Sequence, residues 1–410
     1  MDLPGIDPAL LHTLSGQAKA SGVQRLALVG GAVRDGLLHH HHRDPWRGLL
    51  DLDLVLEGSA EAFATGLQQA LGPERVTDLR SHGSYGTVEL VVDQVLLDVA
   101  GARQERYPSA GANPIVEPGP LELDLQRRDF TVNAMAWVLP GEPTGEGILL
   151  DPHGGAAHLA RRQLAFLHAE SVRDDPTRVL RAARYAARLD FVLAPEALEQ
   201  LTSTLAAWPW SWRPSDPPQQ APAALATRLR MELELLLERE PWRQALSHLQ
   251  TWGALVLLDS GLQADQGWQR RLHCAQRLAL PLLPTLVLGA GDPEALAARL
   301  QLPHRQQQWV GQVVALSHWL ATAAEPQDPV AWTLSLEEGP WEPEAVLLTA
   351  VLEASRRRSC WKPLLRWWGR WRHCRPGRTA KQLIAEGWTP GPALGEELKR
   401  LRRCALEQQR

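Results

Sequence analysis

Cysteine is scarce in this chain, with four in 410 residues (Cys274, Cys360, Cys374, Cys404) and no Cys-x-x-Cys spacing. That excludes a disulfide framework and a zinc finger, and reads as reduced thiols in a cytosolic, cytoplasmic protein. No stretch reaches the roughly 18–20 uncharged apolar residues that a membrane span needs, so no membrane is expected as a partner. The first residues, Met1 to Ala18, lack the basic start and apolar run of a signal peptide. No His-Asp dipeptide occurs, which disfavours a phosphohydrolase domain of that type. Net charge is also small, −4, as if nucleic acid were not a partner.

The distribution of that charge says otherwise. Residues 1–200 hold 18 Lys+Arg against 27 Asp+Glu, and residues 201–355 hold 10 against 16. Residues 356–410 hold 15 against 4, a tail of +11. Tryptophan is also lopsided, with fifteen of 17 at or beyond Trp208. Arg366, Arg370 and Arg372 interleave with Trp361, Trp367, Trp368 and Trp371, a pattern that suits an RNA backbone. The spacing of Trp367, Trp368 and Trp371 is equally that of a helix core, so the arginines carry more of this reading than the rings.

The first 150 residues mix strands and helices. Leu26 to Val29 is a short apolar run closing on Gly30-Gly31, and residues 50–56 (LDLDLVL) alternate with the period of a strand. Thr87 to Val92 and Val95 to Val99 read as two strands about a turn at Asp93-Gln94, and Arg106 to Pro120 as a loop. Strand signal fades after Leu159. Arg178 to Leu189, Leu225 to Leu237 and Trp242 to Leu258 read as helices, and Trp208 to Pro222 is too proline-rich for one. The expected plan is an α+β head with a small mixed sheet followed by an all-α remainder. The expected divisions are 1–150 (head), 151–258 (helical neck), 259–355 (helical body) and 356–410 (basic helical tail).

Within the head, Asp51 and Asp53 share one face of a strand. Two adjacent carboxylates repel unless a cation lies between them, and a pair of Mg²⁺ ions shared with phosphate oxygens is the usual solution in nucleotidyl transfer. An acidic face in water is the plain alternative. Gly30, Gly31 and Arg34 precede a helix-like stretch and suit a phosphate, or form an ordinary strand-to-helix turn. Their spacing fits neither a P-loop nor a dinucleotide fingerprint. Arg127, Arg128, Asp129 and Asn133 can hold a ribose and a triphosphate, or close a salt-bridged turn. Arg178, Arg181, Arg184 and Arg188 share one helix face, which reads as an RNA-backbone or pocket-wall stripe or as a solvated face. His39 to His42 reads as a surface loop, since consecutive residues cannot converge on one ion.

Taken in order, GGAVRD (30–35), DLD (51–53), RRDFTVNAMA (127–136) and DDPTR (174–178) resemble the motifs of class II tRNA nucleotidyltransferases and bacterial poly(A) polymerases. The resemblance extends weakly to Arg228 and Glu232 and reappears at Gly391-Pro392-Ala393-Leu394-Gly395. It implies an enzyme that adds C and A residues to the tRNA 3′ end from CTP and ATP, releasing pyrophosphate. Asp51 and Asp53 would be catalytic and hold two Mg²⁺ ions, with Asp98 as a third acid. Gly30, Gly31, Arg34, Arg127, Arg128, Asp129 and Asn133 would bind the nucleotide's phosphate and ribose. Asp175 and Arg178 would read the base, and Asp175 would also cap the helix behind Pro176. Asp174 stands where the family begins this motif with glutamate. Arg181, Arg184, Arg366, Arg370 and Arg372 would contact RNA.

The resemblance leaves rivals. A poly(A) polymerase shares the scaffold, although residues 81–87 (SHGSYGT) look like the tRNA-specific branch. An enzyme adding only CC or only A would differ in the segment between about Arg103 and Pro120. A non-catalytic RNA-binding scaffold is a rival of another class.

Overall fold

Leu26–Val29 forms the strand β1 and buries all four residues, as its unbroken apolar run requires of a central strand. The structure is a computed structural model that describes residues 3–49, 51–82, 86–141, 145–220, 222–322, 326 and 328–409. The tRNA-branch reading at residues 81–87 therefore lies partly outside the described residues. The chain divides into two compact units, Met1–Ser211 with Glu240–Ala254, and Trp212–Arg239 with Leu255–Arg410.

In the first unit, helix α1 (Pro8–Ala20) starts on Asp7, whose carboxylate accepts from the Ala9 N–H. Helix α2 (Gly31–His42) follows β1, and strand β2 (Leu52–Leu56) pairs antiparallel to β1. Helix α3 (Ala60–Leu71) is capped by Ser59 and ended by Gly72 at φ 80°. Strands β3 (Val76–His82), β4 (Thr87–Val92) and β5 (Val95–Gly101) complete that side. Asp93 and Gln94 take φ 48° and 68°, the left-handed turn that matches strand twist in a two-residue hairpin. Strands β6 (Arg103–Arg106) and β7 (Ile115–Pro118) form a separate ribbon, then come α4 (Leu121–Gln126), β8 (Ala136–Val138) and β9 (Ile148–Leu150). Among the described residues seven strands form one mixed sheet in the order β3-β4-β5-β2-β1-β8-β9, with β2 and β5 parallel. Helices α5 (Gly155–Arg161), α6 (Ser171–Asp174) and α7 (Thr177–Leu189) follow.

Ala27, Val29, Val55, Leu121, Leu125, Ala134 and Ala136 pack into one core cluster of this unit. At about 25 cal/mol per Å² of apolar surface, such clusters are what hold a mixed sheet against its helices.

The second unit is helical in its described residues. Its core gathers Leu316, Trp332, Leu336, Val346, Ala350, Leu364, Trp367, Trp371 and Leu406, with Trp368 packed against it. Among its described residues, as in the first unit, no helix is long and apolar enough to cross a membrane. The α+β head and helical remainder agree with the sequence reading.

Three local expectations change. His39–His42 is the last turn of α2 rather than a loop. Arg43 closes the helix at φ 60°, and the His39 ring nitrogen Nδ1 meets the Asp44 carbonyl at 2.9 Å. The Arg106–Pro120 segment is not all loop, since it contains β7, which pairs with β6 ahead of it, and β3 is a strand whose mostly exposed residues gave it little apolar pattern. The helix expected over Trp242–Leu258 stops at Thr251, before Gly253 at φ 71°.

Candidate active site

β2 places the first acids. Asp51 lies just before the strand and Asp53 within it, and Asp53 stands in register with Asp98 on the parallel neighbour β5. The three carboxylates thus meet on one sheet face. Asp53 is pushed up to about 6, first by burial and then by the charge of Asp51, with Asp98 adding to it and Arg128 and Arg34 opposing. Asp98 is also raised, by desolvation and then by Asp51 and Glu89. Fields of this kind favour a cation. The donors are hard oxygens, the ligand class of Mg²⁺. Among the described residues no group of three or more His, Cys, Asp or Glu forms a ready-made metal cage. These residues fit a cation that takes part of its coordination from a bound phosphate, as Mg²⁺ does.

Gly30 closes against this face. Its φ of 64° and ψ of −130° suit glycine, and a Cβ there would lie 3.0 Å from Asp53 Oδ2 and 3.7 Å from Arg128 Nη1. Backbone, acid and guanidinium therefore converge where α2 begins with Gly31. The first-turn N–H groups of that helix lack intrahelical acceptors and point toward any anion placed there.

Arg34 is turned inward and only 4% exposed. It donates to both oxygens of Asp35 at 2.8 and 2.9 Å and to Asn133 Oδ1 at 2.8 Å, and lies over the Tyr185 ring. Asn133 in turn donates to Asp129, which accepts from the Phe130 N–H and pairs with Arg181 at 2.7 Å. Burial works to raise Asp129, but Arg181, Asn133 and Arg178 outweigh it and hold the carboxyl below its ordinary range. Arg34, Asn133 and Asp129 thus form one buried hydrogen-bonded chain, and Arg34 Nη2 would lie 3.6 Å from a Cβ on Gly31. Arg128 is the cation beside Gly30 and Asp53.

Arg127 and Arg128 are both anchored by Asp124, and Arg127 also pairs with Glu105 on β6 at 3.2 Å. A cleft of about 590 Å³ opens on this side. Its walls include Glu105, Tyr107, Arg127, His168, Asp174 and Arg178. Burial, joined by the charge of Arg178, lowers His168, and burial raises Asp174. Arg178 is 4% exposed and donates to the Ser171 and Arg127 carbonyls at 3.2 and 2.8 Å. Asp175 is turned to Thr177, accepting from its N–H at 3.1 Å and its hydroxyl at 2.7 Å. The helix begins at Thr177 with Pro176 at its N-cap position and no side-chain cap bond, so Asp175 makes a local turn just ahead of the helix and is not its expected N-cap. Of the two aspartates it is Asp174 that lines the cleft with Arg178.

The arginine stripe of α7 reads differently in three dimensions. Arg181 pairs with Asp129, while Arg184 and Arg188 both close on Glu240, whose side chain is 1% exposed. Two of these charges lock α7 to the segment that returns at Glu240. Arg366 and Arg370, in the second unit, are exposed, and Arg372 stacks on Trp368 at 3.8 Å from the ring centroid. Trp367 and Trp371 are core, at 3% and 4% exposure.

Sequence reasoning missed Asp124, Asp35, Glu105, Tyr185 and Glu240. Asp124 had a signal, since it precedes the arginines by three and four residues. Glu240 had none, because its partners lie 52 and 56 residues away.

Comparison with known proteins is consistent with this geometry. The Poly A polymerase head domain matches residues 26–165. The chain is 33% identical over 401 residues to the CC-adding tRNA nucleotidyltransferase of Deinococcus radiodurans, spanning 96% of this chain and 88% of that one. It is 41% identical over 170 residues to the A-adding tRNA nucleotidyltransferase of Aquifex aeolicus, spanning 42% of this chain and 19% of that one. A CCA-adding enzyme in an apo form superposes with a TM-score of 0.71 at 24% identity, over 99% of this chain and 94% of that one. The Thermotoga maritima CCA-adding enzyme complexed with tRNA gives 0.68 at 23%, over 99% and 93%. At such identities the structural likeness establishes the fold.

Proposed function

The chain belongs to the family of tRNA nucleotidyltransferases, and on that premise we propose that it extends the tRNA 3′ end without a nucleic-acid template, adding C and A residues from CTP and ATP. The observation that carries this is the grouping of Asp51 and Asp98 about Asp53, which itself lies against Gly30 and Arg128. The 3′-hydroxyl oxygen would bond to the α-phosphorus as the bridge to the β-phosphate breaks and pyrophosphate leaves. Asp51 and Asp53, with Asp98 beside them, would hold two Mg²⁺ ions, which when bound supply activation of the hydroxyl and neutralisation of the leaving group.

The chain's own residues do the rest. The Gly30-Gly31 backbone and the α2 N-terminus receive phosphate oxygens, and Arg128 faces them with Arg127 alongside. Arg34, Asp129 and Asn133 keep that wall rigid, which matters because misplacement of reacting groups by an ångström is costly in rate. Cytosine and adenine each present an amine donor beside a ring acceptor, so an aspartate that accepts and an arginine that donates select both. Arg178 still has N–H donors to present after its two carbonyl bonds. Asp175 takes the accepting part on releasing Thr177. Arg366 and Arg370, within the basic segment 356–410, meet the RNA backbone, and Arg372 acts from its seat on Trp368. The fourfold division at about 150, 258 and 355 is the corresponding functional partition, and the activity is that of a cytoplasmic protein.

A second reading, addition of CC alone, is favoured by one observation: a relative 33% identical over 88% of its own length is a CC-adding protein. Incubation of the protein with tRNA ending before CCA, Mg²⁺ and CTP, ATP or both, resolved at single-nucleotide length, tests both. Ordered addition of CCA supports the first reading, and arrest after CC with both nucleotides present supports the second. Long A-tails or no extension would overturn both.

A further inference from the structure

Asp124 has no exposed surface, yet it is a carboxylate. Taking such a group out of water is costly unless opposite charge meets it. Here it is met on both oxygens. Oδ1 accepts from Arg127 Nε at 2.9 Å and lies 2.8 Å from Arg127 Nη2, with the Arg103 N–H at 3.4 Å. Oδ2 accepts from Arg128 Nη2 at 3.0 Å.

Sequence placement explains how one acid reaches two consecutive arginines. Asp124 sits on the short helix α4, and Arg127 is its C-cap, so Arg127 and Arg128 follow by three and four residues, the spacing at which helical side chains meet. Consecutive long side chains would otherwise diverge. The consequences run further on both sides. Arg128 Nη1 lies against Gly30, where Asp53 also points. The main-chain carbonyl of Arg127 is a seat of Arg178.

We propose that Asp124 is the positioning residue for the nucleotide: by gripping both guanidinium groups it sets the spacing of the two cations that face the triphosphate. Through the Arg127 main chain it also fixes the seat of Arg178. It touches no substrate atom and acts through the arginines. The inference rests on the reading that CTP is a substrate.

The test uses the full chain and three variants: Asp124→Asn, which keeps the shape and removes the charge, Arg128→Gln, and the double variant. Asp93→Asn serves as a control, since it removes an acid from the exposed pair with Arg75. CTP binding is read by calorimetry and C addition by steady-state kinetics on tRNA lacking CCA. Asp124→Asn is expected to raise the CTP KM and Kd about tenfold or more while kcat at saturating CTP changes by less than about threefold. tRNA affinity stays at the wild-type value. Because Asp124 works through Arg128, the double variant should raise KM little beyond Arg128→Gln alone.

A lowered melting temperature with unchanged CTP Kd and KM would make Asp124 a stability residue and overturn the proposal. So would fully additive effects in the double variant. If wild-type protein neither binds nor incorporates CTP, the functional reading fails and takes this inference with it. An active wild type matched by Asp124→Asn overturns the inference alone.

Discussion

Arg178 Nη2 donates to the main-chain carbonyl of Arg127 at 2.8 Å, across 51 residues of sequence. One bond thereby ties the helix proposed to read the base to the arginine pair proposed to face the phosphates. The same side chain also holds the Ser171 carbonyl. The proposed selection of the nucleotide and the proposed grip on its phosphates would thus be mechanically joined.

Arg178→Ala should therefore damage both. Two buried carbonyls lose their donor, at a cost of roughly 1–3 kcal/mol each less what water recovers. Urea unfolding should show a loss on the order of 2 kcal/mol. In single-nucleotide incorporation, discrimination of CTP against UTP should fall by about tenfold or more. Unchanged discrimination would detach Arg178 from base choice.

Asp53 sets a pH dependence whose sign follows from its pKa of about 6, above the ordinary 3.8. The folded state binds this proton more tightly than the unfolded chain does. The associated stability is complete below about pH 4 and is lost as pH rises through about 6. In metal-free buffer at pH 8, Asp53→Asn should be more stable than wild type by on the order of 2 kcal/mol. The gap should close below about pH 4. Added Mg²⁺ should stabilise wild type more than the variant. Thermal melts across this range check it, and parallel wild-type and variant curves at all pH values would refute the acidic-face account.

Gly30→Ala forces a Cβ to within 3.0 Å of Asp53 Oδ2 at a φ of 64° that L-residues rarely adopt. The backbone cost is about 1–3 kcal/mol, and the displaced acid should lower kcat by about tenfold or more. Melting temperature and kcat are the readouts. A variant with wild-type kcat would show that the close approach is incidental.

The tail arginines should separate into two kinds. Arg366→Gln with Arg370→Gln removes two exposed charges and should leave melting unchanged while reducing the salt slope of tRNA affinity by about 1–2. Arg372→Ala removes the cation stacked on Trp368 and should cost about 0.5–1 kcal/mol of stability as well. Identical salt slopes in wild type and the Arg366/Arg370 variant would remove those residues from the RNA surface.

The elements most legible in the sequence were those whose signal is local. The apolar run of β1, the alternation of β2 and the Asp93-Gln94 turn each follow from neighbours within a few residues. Strand β3 escaped because most of its residues are exposed. His39–His42 was misjudged because a helix end is decided by where the chain is capped, here at Arg43, more than by histidine propensity. The acids Asp51 and Asp53 were visible from their spacing. The inward turn of Arg34 was not, since its partner Asn133 lies 99 residues away.

The sequence by itself determined the chemical inventory: paired acids on a strand, glycines ahead of a helix, consecutive arginines, and a basic tail. These depend on residue type and short-range periodicity, which the chain carries before it folds. The tertiary structure alone decided which charges are available to a ligand and which are consumed internally. Arg184 and Arg188 are spent on Glu240, Arg34 on Asp35 and Asn133, and both oxygens of Asp124 on Arg127 and Arg128. A buried charge must find a partner; Asp35 and Asp124 find theirs within four residues, but Asn133 for Arg34 and Glu240 for Arg184 and Arg188 stand 99, 56 and 52 residues away, where only the fold can bring them.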